Sequence, residues 1–449
     1  MANTYNFSSD ALLKRIGLQP GKKILVFLIS LIAITIALGN VYNSLAVIFF
    51  VLYSVLASRR QDFSFRLELM LPLLLFVLMA LSLSWSIDFK STLKALGKEA
   101  ALLFIPLAFM LNRKLSRNSA YDVLKNYSIG MCMVGVYFIV RAFIRYFQLG
   151  TTDVFFYHEL STFKINAIYL STLFSLALFV FIAKKNKTIM GYVSTLFLLV
   201  MVFLLSSKNI IIIDVLLIVM YYLFFAGFSK GATIAAVAVF CAFALVMGYY
   251  GKIYDRLLHE MEPVKNTKVT HGVHNVSVGE AWHNKKFNGN DYFNGTAFRT
   301  YQIRIFKELL ADEPILFTGY GLNASAKKIE LKGIEHNLYH GNKESIGYNK
   351  LNFHNQYIEA FADLGIFGFL LLVAALVINL KNGIEAKYFV HIAFAILMIS
   401  LFLTESFLWR QRGVVFFTLF YCLFNSLLPV NVMDRYVDKN YKKPRVAKA

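Results

Sequence analysis

Residues able to do chemistry gather in the stretch from Asn352 to Leu371, NFHNQYIEAFADLGIFGFLL. A long polar segment ends here and an apolar run begins, so His354, Asn355, Gln356 and Glu359 stand at the mouth of a helix. Histidine exchanges protons near neutral pH, which suits it to act as a general base on a hydroxyl. The plainer reading, an interfacial residue beside a helix cap, weighs equally on position alone. Asn355 and Glu359 are the candidates to orient the imidazole. Asp363 follows, and Gly365 and Gly368 are spaced to fall near one helix face.

Cations form the second set. Phe298, Ile305 and Leu309 recur at helical spacing and Pro314 stops the run, which predicts an amphipathic helix from Ala297 to Asp312. It carries Arg299 and Arg304, which at five residues' separation diverge by about 140° and do not act together. Arg299 lies nearer the N-terminus, where the helix dipole also favours an anion. Lys208 stands in LLSSKNIIII, between two apolar runs. There it either snorkels to headgroups or meets a lipid-linked phosphate, with Asp214, deeper in the next run, as its candidate partner. Arg141 and Arg145 share a face at i, i+4. Arg410 and Arg412, with Glu405, occupy a short late loop. For Arg141, Arg145, Glu405, Arg410 and Arg412, anchoring at an interface is the stronger plain reading, and for Arg299 and Arg304 it is a solvated surface position. His271, His274 and His283 have loose spacing and no acidic or cysteine companions, so no metal site is expected. Cys132, Cys241 and Cys422 lie inside apolar runs and read as packing residues. Thr318 to Asn323, TGYGLN, reads as a glycine turn rather than a nucleotide loop.

The elements that must position these residues are membrane helices. The chain is 58% hydrophobic and only 16% charged, too apolar for a soluble protein of its length. Its apolar residues come in blocks long enough to cross a bilayer. Twelve spans are expected, near 24–39, 41–57, 68–84, 94–111, 122–144, 166–183, 189–206, 210–227, 232–250, 355–380, 388–405 and 413–428. The expected fold is therefore an all-α polytopic membrane protein, with one large, partly helical periplasmic loop between helices 9 and 10. Residues 1–250 hold helices 1–9, 251–353 the loop, 354–428 helices 10–12, and 429–449 a basic tail. The first apolar block is expected to be a retained helix rather than a signal peptide. The net charge of +20 comes from residues scattered through short loops, which argues for membrane orientation and against nucleic acid. Lys22, Lys23, Arg66, Arg117, Lys184, Lys185, Lys187, Lys381 and Lys387 fall on one side of this topology. The fewer Lys90, Arg145, Lys208, Arg410 and Arg412 face them, so both termini are expected in the cytoplasm. The first part of the loop, Pro263 to Gly295, is expected to be irregular.

Two stretches carry a resemblance to a family. FHNQYIEAFADLGIFGFLL is similar to the H-N-x-x-[LI]-x-x-x-x-x-x-G-x-x-G signature of the O-antigen ligase and O-antigen polymerase superfamily of bacterial inner membranes. AFRTYQIRIFKELLADEPILFTGYGLN is similar to that family's arginine-bearing loop helix and its Pro-x-x-x-x-G-x-G turn. These motifs fall within roughly residues 200 to 412, and the first half resembles the family in topology more than in sequence. The resemblance implies a GT-C-type glycosyltransferase that moves a glycan from undecaprenyl diphosphate to a sugar hydroxyl of lipid A-core. It implies an inverting displacement with no metal or other cofactor. His354 matches the family's catalytic histidine and Arg299 its loop arginine. Lys208 stands in SSKN where the family has a Ser-Arg pair, a departure that keeps the charge but loses the bidentate fork. Arg141, Arg145, Asn355, Arg304, Arg410 and Arg412 are the further candidates for holding substrate. A polymerase or a protein O-glycosyltransferase of the same superfamily is the alternative. A lipid or glycan transporter is the alternative of another class, though no internal repeat favours it.

Overall fold

The computed structural model describes residues 22–58, 63–112, 115–161, 165–205, 207–227, 274–342 and 345–427, with single positions at 231, 234, 238 and 242. Among them the protein is nearly all helical. Four helices are long and apolar enough to cross a membrane: α2 (Asn40–Ala57), α3 (Leu67–Leu81, extended by a 3-10 turn to Ser84), α6 (Arg117–Leu149) and α13 (Gln356–Glu385). Shorter apolar helices are α7 (Ala167–Ala183), α8 (Ile189–Leu204) and α14 (Phe389–Phe402). Apart from those single positions, the expected ninth span, 232–250, with Cys241, lies outside the described residues, as do the loop start with His271 and the basic tail.

Helices without a polar face make sense where each pairs its own backbone groups and lipid covers the outside. Phe49, Leu52 and Val55 of α2 and Met133, Val136 and Val140 of α6 are all more than half exposed. In contrast, α7, α14 and α15 (Gln411–Asn425) are buried along most of their length and form the centre of the bundle. The run expected as one span at 94–111 divides at Ala100. An amphipathic α4 (Phe89–Glu99) precedes a wholly apolar α5 (Ala101–Leu111). The helix expected near 210 begins at Lys208, as α9 (Lys208–Phe224).

A second core, built around Phe287, Phe293, Phe298, Tyr301, Ile305 and Phe353, belongs to the polar segment. Residues 274–295, expected to be irregular, are ordered. Two three-residue strands, β1 (His274–Val276) and β2 (Asp291–Phe293), pair in parallel across the short helix α10 (Val278–His283). That helix starts with a full capping box, Ser277 to Glu280. The amphipathic helix α11 (Gly295–Asp312) follows, then the glycine turn and α12 (Ser325–Glu335).

The turn is laced into α13. Gly365 does not lie on a continuous helix face as its spacing suggests: at φ +67°, ψ −165° it breaks the helix. The freed carbonyls of Ala362 and Asp363 accept from the amides of Tyr320 and Gly321, at 2.9 and 2.8 Å. The amide of Ile366, displaced from Ala362, donates to the Leu316 carbonyl at 2.8 Å. The far side of the turn is held by the connection after α3 and by the first turn of α4. Trp85 Nε1 donates to the Thr318 carbonyl, Ile87 N to that of Tyr320, and Thr92 Oγ1 to that of Leu322.

Only glycine tolerates the conformation at 365, and a Cβ there would lie 2.3 Å from the Phe317 carbonyl. Gly365→Ala is expected to cost at least about 2 kcal/mol and to lower the thermal unfolding temperature in detergent. Gly279→Ala, with nothing within 4 Å of the added carbon, serves as control. Equal unfolding of the two variants would contradict this account of the break.

Candidate functional site

Asn355 is the N-cap of α13. Its Oδ1 accepts from the amides of Tyr357 and Ile358 at 3.0 and 3.1 Å, and its Nδ2 donates to the Leu403 carbonyl. A cap of this kind contributes about 1 kcal/mol. His354, just before it, takes a left-handed backbone at φ +49°, steadied by the Asn352 side chain, which accepts from its amide. This conformation is uncommon outside glycine and fixes how the imidazole leaves the chain. The ring lies edge-on to Phe298 of α11, with centroids 5.7 Å apart.

The group beside the imidazole is Glu405, not Glu359. Glu405 Oε2 is 3.5 Å from His354 Nδ1, and its Oε1 is 3.4 Å from Arg299 Nη2. The carboxylate is 6% exposed, so one buried acid faces both basic groups. Arg299 is fixed further by the Thr404 carbonyl, which accepts from Nε at 2.9 Å, and by the Gly295 carbonyl, which accepts from Nη1. Glu359 binds backbone and neighbour instead, accepting from Phe353 N and from Ser406 Oγ. With Gln356 accepting from Leu408 N and Tyr357 Oη donating to the Ile399 carbonyl, the start of α13 is stitched to residues 399–408.

Lys208 enters the same site through its neighbour. Asn209 donates from Nδ2 to Thr404 Oγ1 at 2.9 Å and to the Ser400 carbonyl, which ties the first turn of α9 to the end of α14. Lys208 and Arg299 thus line one cleft of about 790 Å³, with Tyr157, Asn275, Tyr292 and Asn294 among its other walls. Among the described residues, no carboxylate lines it. The described lining thus carries two basic side chains, of which Arg299 is also paired with Glu405, a charge balance that favours an anion in the cleft.

Residues 193–373 match the family model described as O-antigen ligase. That span holds Lys208, Arg299 and His354. Over that segment the chain is similar to the O-antigen ligase family. No curated protein matches the chain. The family is of the glycosyltransferase type, acting on lipid-linked glycan and an acceptor in a bacterial membrane, and the apolar helices agree with that setting.

The remaining candidate residues do not converge on the cleft. Arg304 is buried, paired with Glu308 at 2.8 Å and donating to the carbonyls of Ala281 and Asn284, so it locks α10 to α11. Arg412 is also buried and donates to the carbonyls of Ile36 and Leu38, closing the end of α1 (Lys22–Thr35). The Arg410 guanidinium lies 5.7 Å over the Tyr169 ring. Arg141 donates to the carbonyls of Leu160 and Ser161, and Arg145 pairs with Glu159. Both clasp the single helical turn Tyr157–Leu160, whose first residue reaches the cleft. Asp214 accepts from Ser175 Oγ rather than meeting Lys208. His274 lies 3.2 Å from Glu280, and the His283 ring meets the Gly279 carbonyl. Burial holds His336 below the ordinary histidine value, with Glu308 opposing and Arg304 adding to the effect. It packs against Tyr301, outside the cleft lining. Glu405 is the residue that sequence reasoning left among interfacial anchors. Its only local signal was an acid next to the apolar end of a span.

Removing Glu405 takes away the acid beside His354 and one of the contacts of Arg299, and a displacement of about 1 Å at a reacting group costs on the order of 100-fold in rate. Glu405→Ala is expected to lower the transfer rate by about that factor with membrane level and thermal unfolding close to wild type. Glu405→Gln, which still accepts from Arg299, is expected to keep more activity. Wild-type turnover in Glu405→Ala would show that the carboxylate positions nothing.

Proposed function

We propose that this chain is a ligase that transfers a glycan from undecaprenyl diphosphate to a sugar hydroxyl of lipid A-core. The observation that carries this reading is the pair Lys208 and Arg299 on the wall of one cleft, with His354 joined to Arg299 through Glu405. In this reading the chain crosses the inner membrane twelve times, with both termini in the cytoplasm and the cleft on the periplasmic face.

The donor lies with its lipid along the apolar helices and its diphosphate between Lys208 and Arg299. His354, with Nδ1 towards Glu405, receives the proton of the acceptor hydroxyl on Nε2. The acceptor oxygen attacks the anomeric carbon from the face opposite the diphosphate. As the new C–O bond forms, the bond from that carbon to the phosphate oxygen breaks, and the configuration inverts. The leaving diphosphate gains negative charge, which the two fixed cations offset where it develops. Lys208 contributes as a point charge and Arg299 as a directed donor held by the Thr404 and Gly295 carbonyls. Glu405 stabilises the imidazolium that forms and holds it against Phe298.

The test is complementation in a host whose own ligase is deleted, supplied with cognate donor and core. The wild-type chain is expected to restore the lipopolysaccharide ladder. His354→Ala and Arg299→Ala are each expected to lower transfer by at least about 100-fold, the cost of losing a general base or a transition-state donor. Lys208→Arg is expected to retain activity and Lys208→Ala to lose most of it. Full activity in His354→Ala or Arg299→Ala would overturn the assignment. Restoration only in a polymerase-deleted host, with bare core in the ligase-deleted one, would make the acceptor a second lipid-linked unit.

A further inference from the structure

The cleft holds more than a diphosphate site. Beyond Lys208 and Arg299, its wall from the polar segment is uncharged: Asn275 from β1, Tyr292 from β2 and Asn294 at the cap of α11. Parallel register sets Asn275 opposite Tyr292, so both side chains leave the same face of the ladder. The other face is spent on the core, since Val276 and Phe293 are buried and Asp291 accepts from the Asn288 amide. Tyr292 is 53% exposed although its strand is anchored by Phe293, which packs edge-on against Phe287 and Tyr348 at 5.0 and 5.3 Å. An aromatic plane is thus held open to the cleft on a rigid support. Asn294 spends its Oδ1 on the amides of Thr296 and Ala297, so it can offer the cleft only N–H donors. Asn275 offers both a donor and an acceptor.

We propose that the β1–β2 ladder reads the glycan: Tyr292 stacks on the C–H face of the first, uncharged sugar ring beside the diphosphate, and Asn275 hydrogen-bonds that ring's hydroxyl or acetamido groups. An apolar ring with a hydroxyl at its tip, next to neutral amides, matches a ligand with C–H faces and an edge of hydroxyls. A lipid tail has no use for the amides, and a bare phosphate has none for the ring. The volume of about 790 Å³ is at the large end for small-ligand sites and leaves space beside the phosphates. This rests on the reading of Lys208 and Arg299 as the diphosphate site, and it makes Tyr292 and Asn275 specificity residues that touch the donor sugar.

The experiment uses the full chain in lipid nanodiscs and two probes, undecaprenyl diphosphate alone and the same lipid bearing one N-acetylglucosamine. Binding of each is titrated to give Kd. The wild-type chain is expected to bind the sugar-bearing lipid about five- to tenfold more tightly, the scale of one aromatic stacking contact. Tyr292→Ala and Asn275→Ala are expected to shrink that ratio toward one while leaving the bare lipid's Kd unchanged. Tyr292→Phe, which keeps the ring, is expected to keep most of the ratio. Tyr292 is exposed, so unfolding temperatures should match wild type and serve as the folding check. A wild-type ratio near one, or an unchanged ratio in Tyr292→Ala, would overturn the proposal. Arg299→Ala tests the underlying reading separately. It should weaken both probes equally, and unchanged binding of the bare lipid would overturn the diphosphate site whatever the sugar ratio shows.

Discussion

The structure depends on a helix that is broken and mended by a distant loop. At Gly365, α13 gives up hydrogen bonds that a helix in an apolar surrounding cannot leave unmade. The segment from Leu316 to Gly321 supplies the missing partners, two donors and one acceptor, within 2.9 Å. The Asp363 carboxylate completes the join by accepting from the amides of Asn323 and Ser325 as α12 begins. The hydrogen bonds lost at the break are therefore recovered so long as the turn is seated. Gly319 and Gly321, with φ of +63° and +99°, let that backbone come close enough. A Cβ at Gly319 would meet Asp363 backbone at 2.4 Å. Because α11 runs directly into this turn, the seam also fixes the helix that carries Arg299.

From that seam the site follows by short links. The first turn of α13 is sewn to the loop after α14 through Asn355, Gln356, Tyr357 and Glu359. That loop presents Thr404 and Glu405. Thr404 takes Asn209 on its hydroxyl and Arg299 on its carbonyl, while Glu405 takes Arg299 and His354. Asn209, Arg299 and Thr404 thereby meet on the wall of one cleft, and His354 is tied to that wall through Glu405. A buried acid shared by two basic groups costs desolvation and returns orientation, which is the exchange expected where geometry matters more than stability.

The sequence was legible where chemistry and periodicity were local. The amphipathic α11 was read to within two residues of its start, and the His-Asn junction was read as a helix mouth because the cap and the apolar run adjoin. The resemblance to the ligase superfamily rested on those same two stretches. What failed was non-local. Glu359, one turn from His354, was a reasonable partner by spacing, yet it faces Phe353 and Ser406, and the acid that reaches the imidazole comes from another helix end. Gly365 and Gly368 looked like one face of a helix, because a break that is repaired by a remote loop leaves no local signature. The β1–α10–β2 unit hid behind strands too short to show alternation, although Ser277 and Glu280 did spell a capping box. The arginines at 304 and 412 were read as substrate ligands by type, and only packing reveals which carbonyls they serve.

The most direct test is the structure of the full chain in nanodiscs with undecaprenyl diphosphate bound. Phosphate density is expected between Lys208 and Arg299, with the lipid leaving along the apolar helices and the His354 imidazole turned toward the first phosphate's sugar position. Diphosphate density elsewhere on the protein, with the cleft empty of lipid, would contradict it.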